Sequence, residues 1–163
     1  HVYAGAFQVT EVGTANNWLA FCVDLFTSYA MPATFETNAG LFGTDTVTRL
    51  DKLFTNFFAG IDSDTKAAGF QVAIWEIVSD DDLDLRSGQF SVANNSRWLR
   101  RTTNRFLNGL DDLDGGAYDL TFFEHGDYQD LVVGDLAPVP LPATGLLLLA
   151  GLGAMGVARR KTK

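Results

Sequence analysis

Two stretches near the start, 2–12 (VYAGAFQVTEV) and 17–25 (NWLAFCVDL), are rich in aromatic and β-branched side chains. They read as strands. Residues 13–17 supply turn chemistry between them, so a hairpin is expected, with Cys22 on its second strand. Residues 26–44 carry Pro32, Gly40 and Gly43 and read as irregular. The period then changes. From about Asp45, Val47, Leu50, Leu53, Phe54, Phe57 and Phe58 recur at helical spacing until Gly60 stops the run. A second helix is expected from Ser63, a candidate N-cap, with Asp64 in its first turn. It carries Phe70, Ala73, Ile74, Ile77 and Val78 inward and ends at the acidic stretch of Asp80, Asp81, Asp82 and Asp84. A third helix spans about 96–107, with Trp98, Leu99, Phe106 and Leu107 expected to face inward. Gly115 and Gly116 break the chain, and 117–123 (AYDLTFF) and 130–133 (DLVV) read as late strands. No internal repeat is visible. The expected class is α+β: antiparallel strands, sandwich- or barrel-like, flanking a helical middle.

The pattern changes again at the C-terminus. No residue of 141–158 is charged, and a leucine run at 146–149 is followed by Gly151, Gly153 and Gly156 at the spacing of small-residue helix contacts. Arg159, Arg160, Lys161 and Lys163 then stop the segment. As a helix, the 18 uncharged residues would be about 27 Å long, close to a hydrocarbon core of ~30 Å. A C-terminal hydrophobic transmembrane helix is therefore expected, marginal in length because of Pro142, with its basic end in the cytoplasm. Three parts follow: an expected extracellular domain at 1–135, a short linker at 136–140 and an apolar, basic-ended segment at 141–163. The chain opens at His1 rather than Met, which suits a mature form or a fragment.

Charge sharpens the picture. The formal net charge is −8. Four of the 12 basic residues lie in the tail, so eight stand against all 20 acidic ones in the body, a net −12. Such a body repels phosphate backbones, which argues against nucleic acid as a partner. The chain has one cysteine, Cys22. It cannot form an intrachain disulfide, and an unpaired cysteine in an exported protein needs an explanation. The plain one is a buried thiol acting as a small hydrophobe.

Val139-Pro140-Leu141-Pro142-Ala143, then the apolar run, then Arg-Arg-Lys, resembles the VPLPA variant of the PEP-CTERM sorting signal. The resemblance implies a membrane-anchored precursor processed by an exosortase-type enzyme, and a final place at the cell surface or in the extracellular matrix. Residues 141–145 also spell LPATG and resemble the LPXTG signal of wall-sorted adhesins. Wall attachment needs a long stalk, whereas residues 134–140 reach only about 25 Å when extended. The exosortase reading is therefore preferred.

Two further stretches resemble bacterial surface thioester domains: Phe21-Cys22-Val23-Asp24 on the early strand, and Phe70-Gln71-Val72-Ala73-Ile74-Trp75 on the second helix. The resemblance implies an internal thioester between Cys22 and Gln71, with Phe21, Asp24, Phe70 and Trp75 around it. The residues carry their own argument. A carboxamide is a poor electrophile, so Gln71 must be held against the sulfur with its oxygen polarised by donors. On a helix Gln71 shares a face with Ala67, Ala68, Ile74, Trp75 and Val78, so it should be buried and needs a partner. The bland alternative is a core thiol and a glutamine bonded to backbone.

Other chemistry is weak. Counting from Asp80, an EF-hand would need Gly at Leu85 and Glu at Ser91, so the acidic stretch reads as a solvated turn, as do Asp111, Asp112 and Asp114. His1 and His125 are the only histidines, and no zinc spacing or catalytic triad is visible. No metal, cofactor or enzymatic activity is expected. Trp18, Trp75 and Trp98 read as core or interface anchors. The expected function is an exported surface or matrix protein that bonds covalently to a partner nucleophile through Cys22 and Gln71. The alternatives are a non-reactive matrix component with the same sorting signal, or an LPXTG-type adhesin.

Overall fold

The computed structural model describes residues 3–93 and 96–138. The hairpin forms as expected: β1 (Phe7–Thr10) pairs antiparallel with β2 (Asn17–Cys22), with Phe7 opposite Ala20 and Thr10 opposite Asn17. Gly13 takes φ of 89° in the turn, a value that suits glycine. A two-residue strand, β3 (Glu36–Thr37), interrupts the stretch expected to be irregular. Three helices follow: α1 (Thr44–Phe57), α2 (Asp64–Ser79) and α3 (Arg97–Leu107). A short 3-10 turn at Phe58–Gly60 closes the first. Ser63 is the N-cap of α2, although its side chain makes no capping hydrogen bond. β4 (Tyr118–Glu124) and β5 (Leu131–Leu136) complete the fold.

The strands make one antiparallel sheet in the order β1-β2-β5-β4-β3. The class is α+β as expected, but there is neither a sandwich nor a barrel among the described residues. Helix α2 explains why. Ten consecutive residues, Ala68 to Ile77, are buried in it, the mark of a helix enclosed on all sides. It lies among β2, α1 and α3 and takes the place that a second sheet would fill. Four phenylalanines tie these layers together. Phe21 of β2 has its ring centroid 4.8 Å from Phe70 of α2 and 6.2 Å from Phe54 of α1, and Phe70 stands 5.8 Å from Phe106 of α3. Gly69 lets α2 and α3 approach closely: a Cβ there would sit 2.6 Å from Cγ2 of Thr102.

One further expectation is corrected. Trp98 does not face inward; it is 56% exposed. Leu99 is half-buried, while Thr103, Phe106 and Leu107 form the buried side of α3. The helical period at 96–107 suited two inward faces, and the packing partner chose the one without tryptophan. The acidic stretches are exposed turns, as expected, in which two carboxylates also brace the fold. Asp80 accepts N–H bonds from Gln89 and Phe90 at 2.7 and 2.8 Å, folding the following loop back, and Asp111 is held by the Arg49 guanidinium through two bonds of 2.9 and 3.1 Å. That ion pair keeps the Asp111 carboxyl below the usual carboxylate range. Strand β5 runs to Leu136, and Ala137 N–H bonds Ala117 O at 3.0 Å, so the fold reaches into the expected linker. Among the described residues no helix is long and apolar enough to cross a membrane. The expected transmembrane helix, the sorting residues Val139 to Ala143 and the basic stop lie outside the described residues.

Candidate functional site

Strand β2 delivers Cys22 to the centre of the molecule. Its sheet partner on one side is β5, where Cys22 stands opposite Leu131 and Val23 N–H bonds Asp130 O at 2.9 Å. On the other side the β1 register stops at Ala20. The Cys22 peptide groups therefore face a gap where strand pairing has ended, and the residue is only 2% exposed. Buried peptide groups need partners. Gln71 supplies both. Its Oε1 accepts the Cys22 N–H at 2.9 Å and its Nε2 donates to Cys22 O at 2.7 Å. The carboxamide pairs with β2 much as a peptide unit of a neighbouring strand would. Gln71 is 1% exposed, so the polar group on the apolar helix face is fully satisfied.

The cysteine sulfur has a different partner. Sγ donates to Oε1 of Gln129 at 2.9 Å, and Nε2 of Gln129 donates to Asp24 O at 2.9 Å. Sequence reasoning missed Gln129. It sits in the turn between β4 and β5, and nothing about one glutamine beside an apolar strand singles it out. The turn itself is built on His125, whose Nδ1 accepts N–H bonds from Asp127 and Tyr128 at 3.0 and 3.2 Å. Asp130 closes it by accepting the His125 N–H at 2.8 Å, and Gln129 N–H bonds Ser28 O at 3.2 Å. His125 thus shapes the loop that brings Gln129 to the sulfur.

The other residues expected around the pair divide. Phe21 and Phe70, the chain neighbours of Cys22 and Gln71, are fully buried and pack tilted on each other with ring centroids 4.8 Å apart. Asp24 holds the turn after β2: Oδ1 accepts Phe26 N–H at 2.9 Å, and Thr27 Oγ1 bonds the other carboxylate oxygen. Trp75, one turn beyond Gln71, packs on Phe90 with centroids 6.2 Å apart, and its indole N–H has no hydrogen-bond partner among the described residues. Burial, and after it the Asp24 charge, pushes the Cys22 thiol up to about 12. The sulfur is a neutral thiol at ordinary pH. Among the described residues no group of histidine, cysteine or carboxylate side chains is arranged to hold a metal.

The other end of the molecule decides its sorting. Residues 138–161 match the PEP-CTERM protein-sorting motif. The chain carries a PEP-CTERM signal. It begins one residue before Val139 and takes in the apolar run and the first three residues of the basic stop. The PEP-CTERM signal marks an exported, exosortase-targeted protein whose precursor associates with the membrane through its C-terminus. No curated protein and no solved structure matches the chain.

Proposed function

We propose that this PEP-CTERM protein is a surface or matrix module that bonds covalently to a partner through a Cys22–Gln71 thioester. One observation carries the reading: the Gln71 carboxamide lies on the backbone of Cys22, held by two hydrogen bonds in a site that is almost wholly buried. The Cys22 N–H already polarises Oε1, as a donor must where oxyanion charge develops. To close the bond, the Cys22 side chain gives up Gln129 and turns towards the carboxamide. Sγ attacks Cδ of Gln71, the C–N bond breaks, and the amide nitrogen leaves as ammonia with the thiol proton. A high thiol pKa makes this step slow, because the thiolate is the attacking species. Closure happens once per molecule and tolerates slowness.

Opening is the productive step. A partner amine attacks Cδ, the C–S bond breaks, the proton passes to sulfur and a stable amide joins the partner to Gln71. The product amide is a much poorer electrophile than the thioester, so the released Cys22 thiol does not displace it. Burial of Cys22 and Gln71 keeps water from the site until a partner enters. The adhesive role rests on this chemistry, with the partner a nucleophile on a neighbouring surface or in the matrix.

Intact mass of the purified chain tests the reading. The wild type should be lighter than its sequence mass by one ammonia, and Cys22→Ala should restore the full mass. Methylamine should then label Gln71 and release the Cys22 thiol. A full-mass wild type with a free thiol would sink the proposal and leave Gln71 as the residue that completes the backbone pairing of β2.

A further inference from the structure

Helix α3 collects a charge that the rest of the body avoids. The body has eight basic residues. Arg49 pairs with Asp111 at 2.9 Å, Lys66 pairs with Asp62 at 2.8 Å, and Lys52 donates to Asp111 O at 2.6 Å. The other five, Arg86, Arg97, Arg100, Arg101 and Arg105, all line one open groove of about 610 Å³ between α3 and the loop before it. Asp84 is the one acid among the described residues lining it. Arg86, Arg97, Arg101 and Arg105 make no ion pair among the described residues. In a body with 20 carboxylates, this concentration of unanswered cations is the exception.

The arrangement is ordered. Arg97, Arg101 and Arg105 repeat every four residues, so their Cα atoms rise by about 6 Å per step along one side of the helix. Like charges at that spacing destabilise a helix, and an external anion relieves them. Trp98 lies three and seven residues before Arg101 and Arg105, on the edge of the same face, and is 56% exposed. A flat indole beside a row of guanidinium forks presents an apolar face for a ring and bidentate donors for a carboxylate.

We propose that this groove binds an acidic polysaccharide, a chain of sugars bearing carboxylates, with the guanidinium groups on successive carboxylates and one sugar ring against Trp98. Single-stranded nucleic acid shares the logic of stacking plus basic charge. The net −12 of the body opposes any polyanion at long range. At the groove itself, the carboxylates meet Arg86, Arg97, Arg101 and Arg105 at close range. Export places the groove outside the cytoplasm, where such polymers are met. The site is separate from Cys22 and Gln71 and stands whether or not the thioester forms.

Affinity electrophoresis of the full chain in a non-ionic detergent tests this, with polygalacturonate as the probe and dextran as the neutral comparison. Polygalacturonate should retard the protein and dextran should not. Paired Arg101→Gln and Arg105→Gln should weaken binding about tenfold or more, the loss expected when charge-assisted bonds go. Paired Arg101→Lys and Arg105→Lys, which keep the charge but lose the fork, should fall between. Trp98→Ala should weaken binding several-fold with an unchanged thermal melt, and Lys66→Gln should leave it alone. No retardation by polygalacturonate overturns the proposal, as does equal retardation by dextran or an equal loss in Lys66→Gln. Tighter binding of a single-stranded oligonucleotide at matched charge overturns the choice of polysaccharide. A dimer in sedimentation that the paired glutamine variant dissolves assigns the groove to a second copy and overturns it too.

Discussion

Replacing Glu76 with glutamine should stabilise the protein at alkaline pH and leave it unchanged in acid. Glu76 is the second polar residue on the enclosed stretch of α2. It is 0% exposed, and neither carboxylate oxygen has a hydrogen-bond partner among the described residues. Burial pushes its pKa up from 4.5 to about 7, and the charges of Asp80, Asp82 and Asp84 add to the rise. The unfolded chain releases this proton near the ordinary value, while the folded chain holds it to about 7. Between those two values the folded state binds more protons, so stability falls as pH rises. The contribution is full below 4.5 and is lost as pH climbs through about 7. At about 1.4 kcal/mol per pH unit, the loss across that window is of order 3 kcal/mol. Glu76→Gln keeps the shape and cannot ionise. Urea unfolding of both proteins should therefore give matching midpoints near about pH 4.5 and a variant more stable by ~3 kcal/mol near about pH 8. The difference between the two is the readout, since other carboxylates titrate equally in both. A difference that does not change with pH would refute the buried-carboxyl argument.

Gly69→Ala should destabilise by up to about 2 kcal/mol: overpacking against Thr102 and Phe106 costs about 1–3, and the gain in helix propensity returns about 1. A thermal melt that rises shows the helices have room to part. Gln129→Leu leaves the Cys22 thiol without its acceptor and Asp24 O without its donor, and should cost about 1–3 kcal/mol in urea unfolding; an unmoved midpoint rules out that network as a support. Thr144→Ala should leave C-terminal processing intact, because the PEP-CTERM reading makes no use of that hydroxyl. Processing abolished by Thr144→Ala alone, read from the mass of the exported product, points to a wall-sorting signal instead.

Periodicity along the chain determined the element types: two early strands, three helices and two late strands stand where the spacing of apolar residues puts them. The reason is local, since side-chain period is a property of a single element. The sorting signal was legible too, because its motif, apolar run and basic stop are read in order along the chain. The meeting of Cys22 and Gln71 was reached through paired motifs, but the form of their contact was not. That the carboxamide would pair with the Cys22 backbone depended on where β1 stops along β2, and register is set by partners distant in sequence. Gln129 stayed hidden for the same reason: 107 residues separate it from Cys22, and only the turn built on His125 brings it there. Trp98 shows the remaining limit. An amphipathic helix has one buried face, and which residues lie on it is decided by the surface it packs against. Helix α3 lays Thr103, Phe106 and Leu107 on the core and leaves its tryptophan with the arginines in solvent.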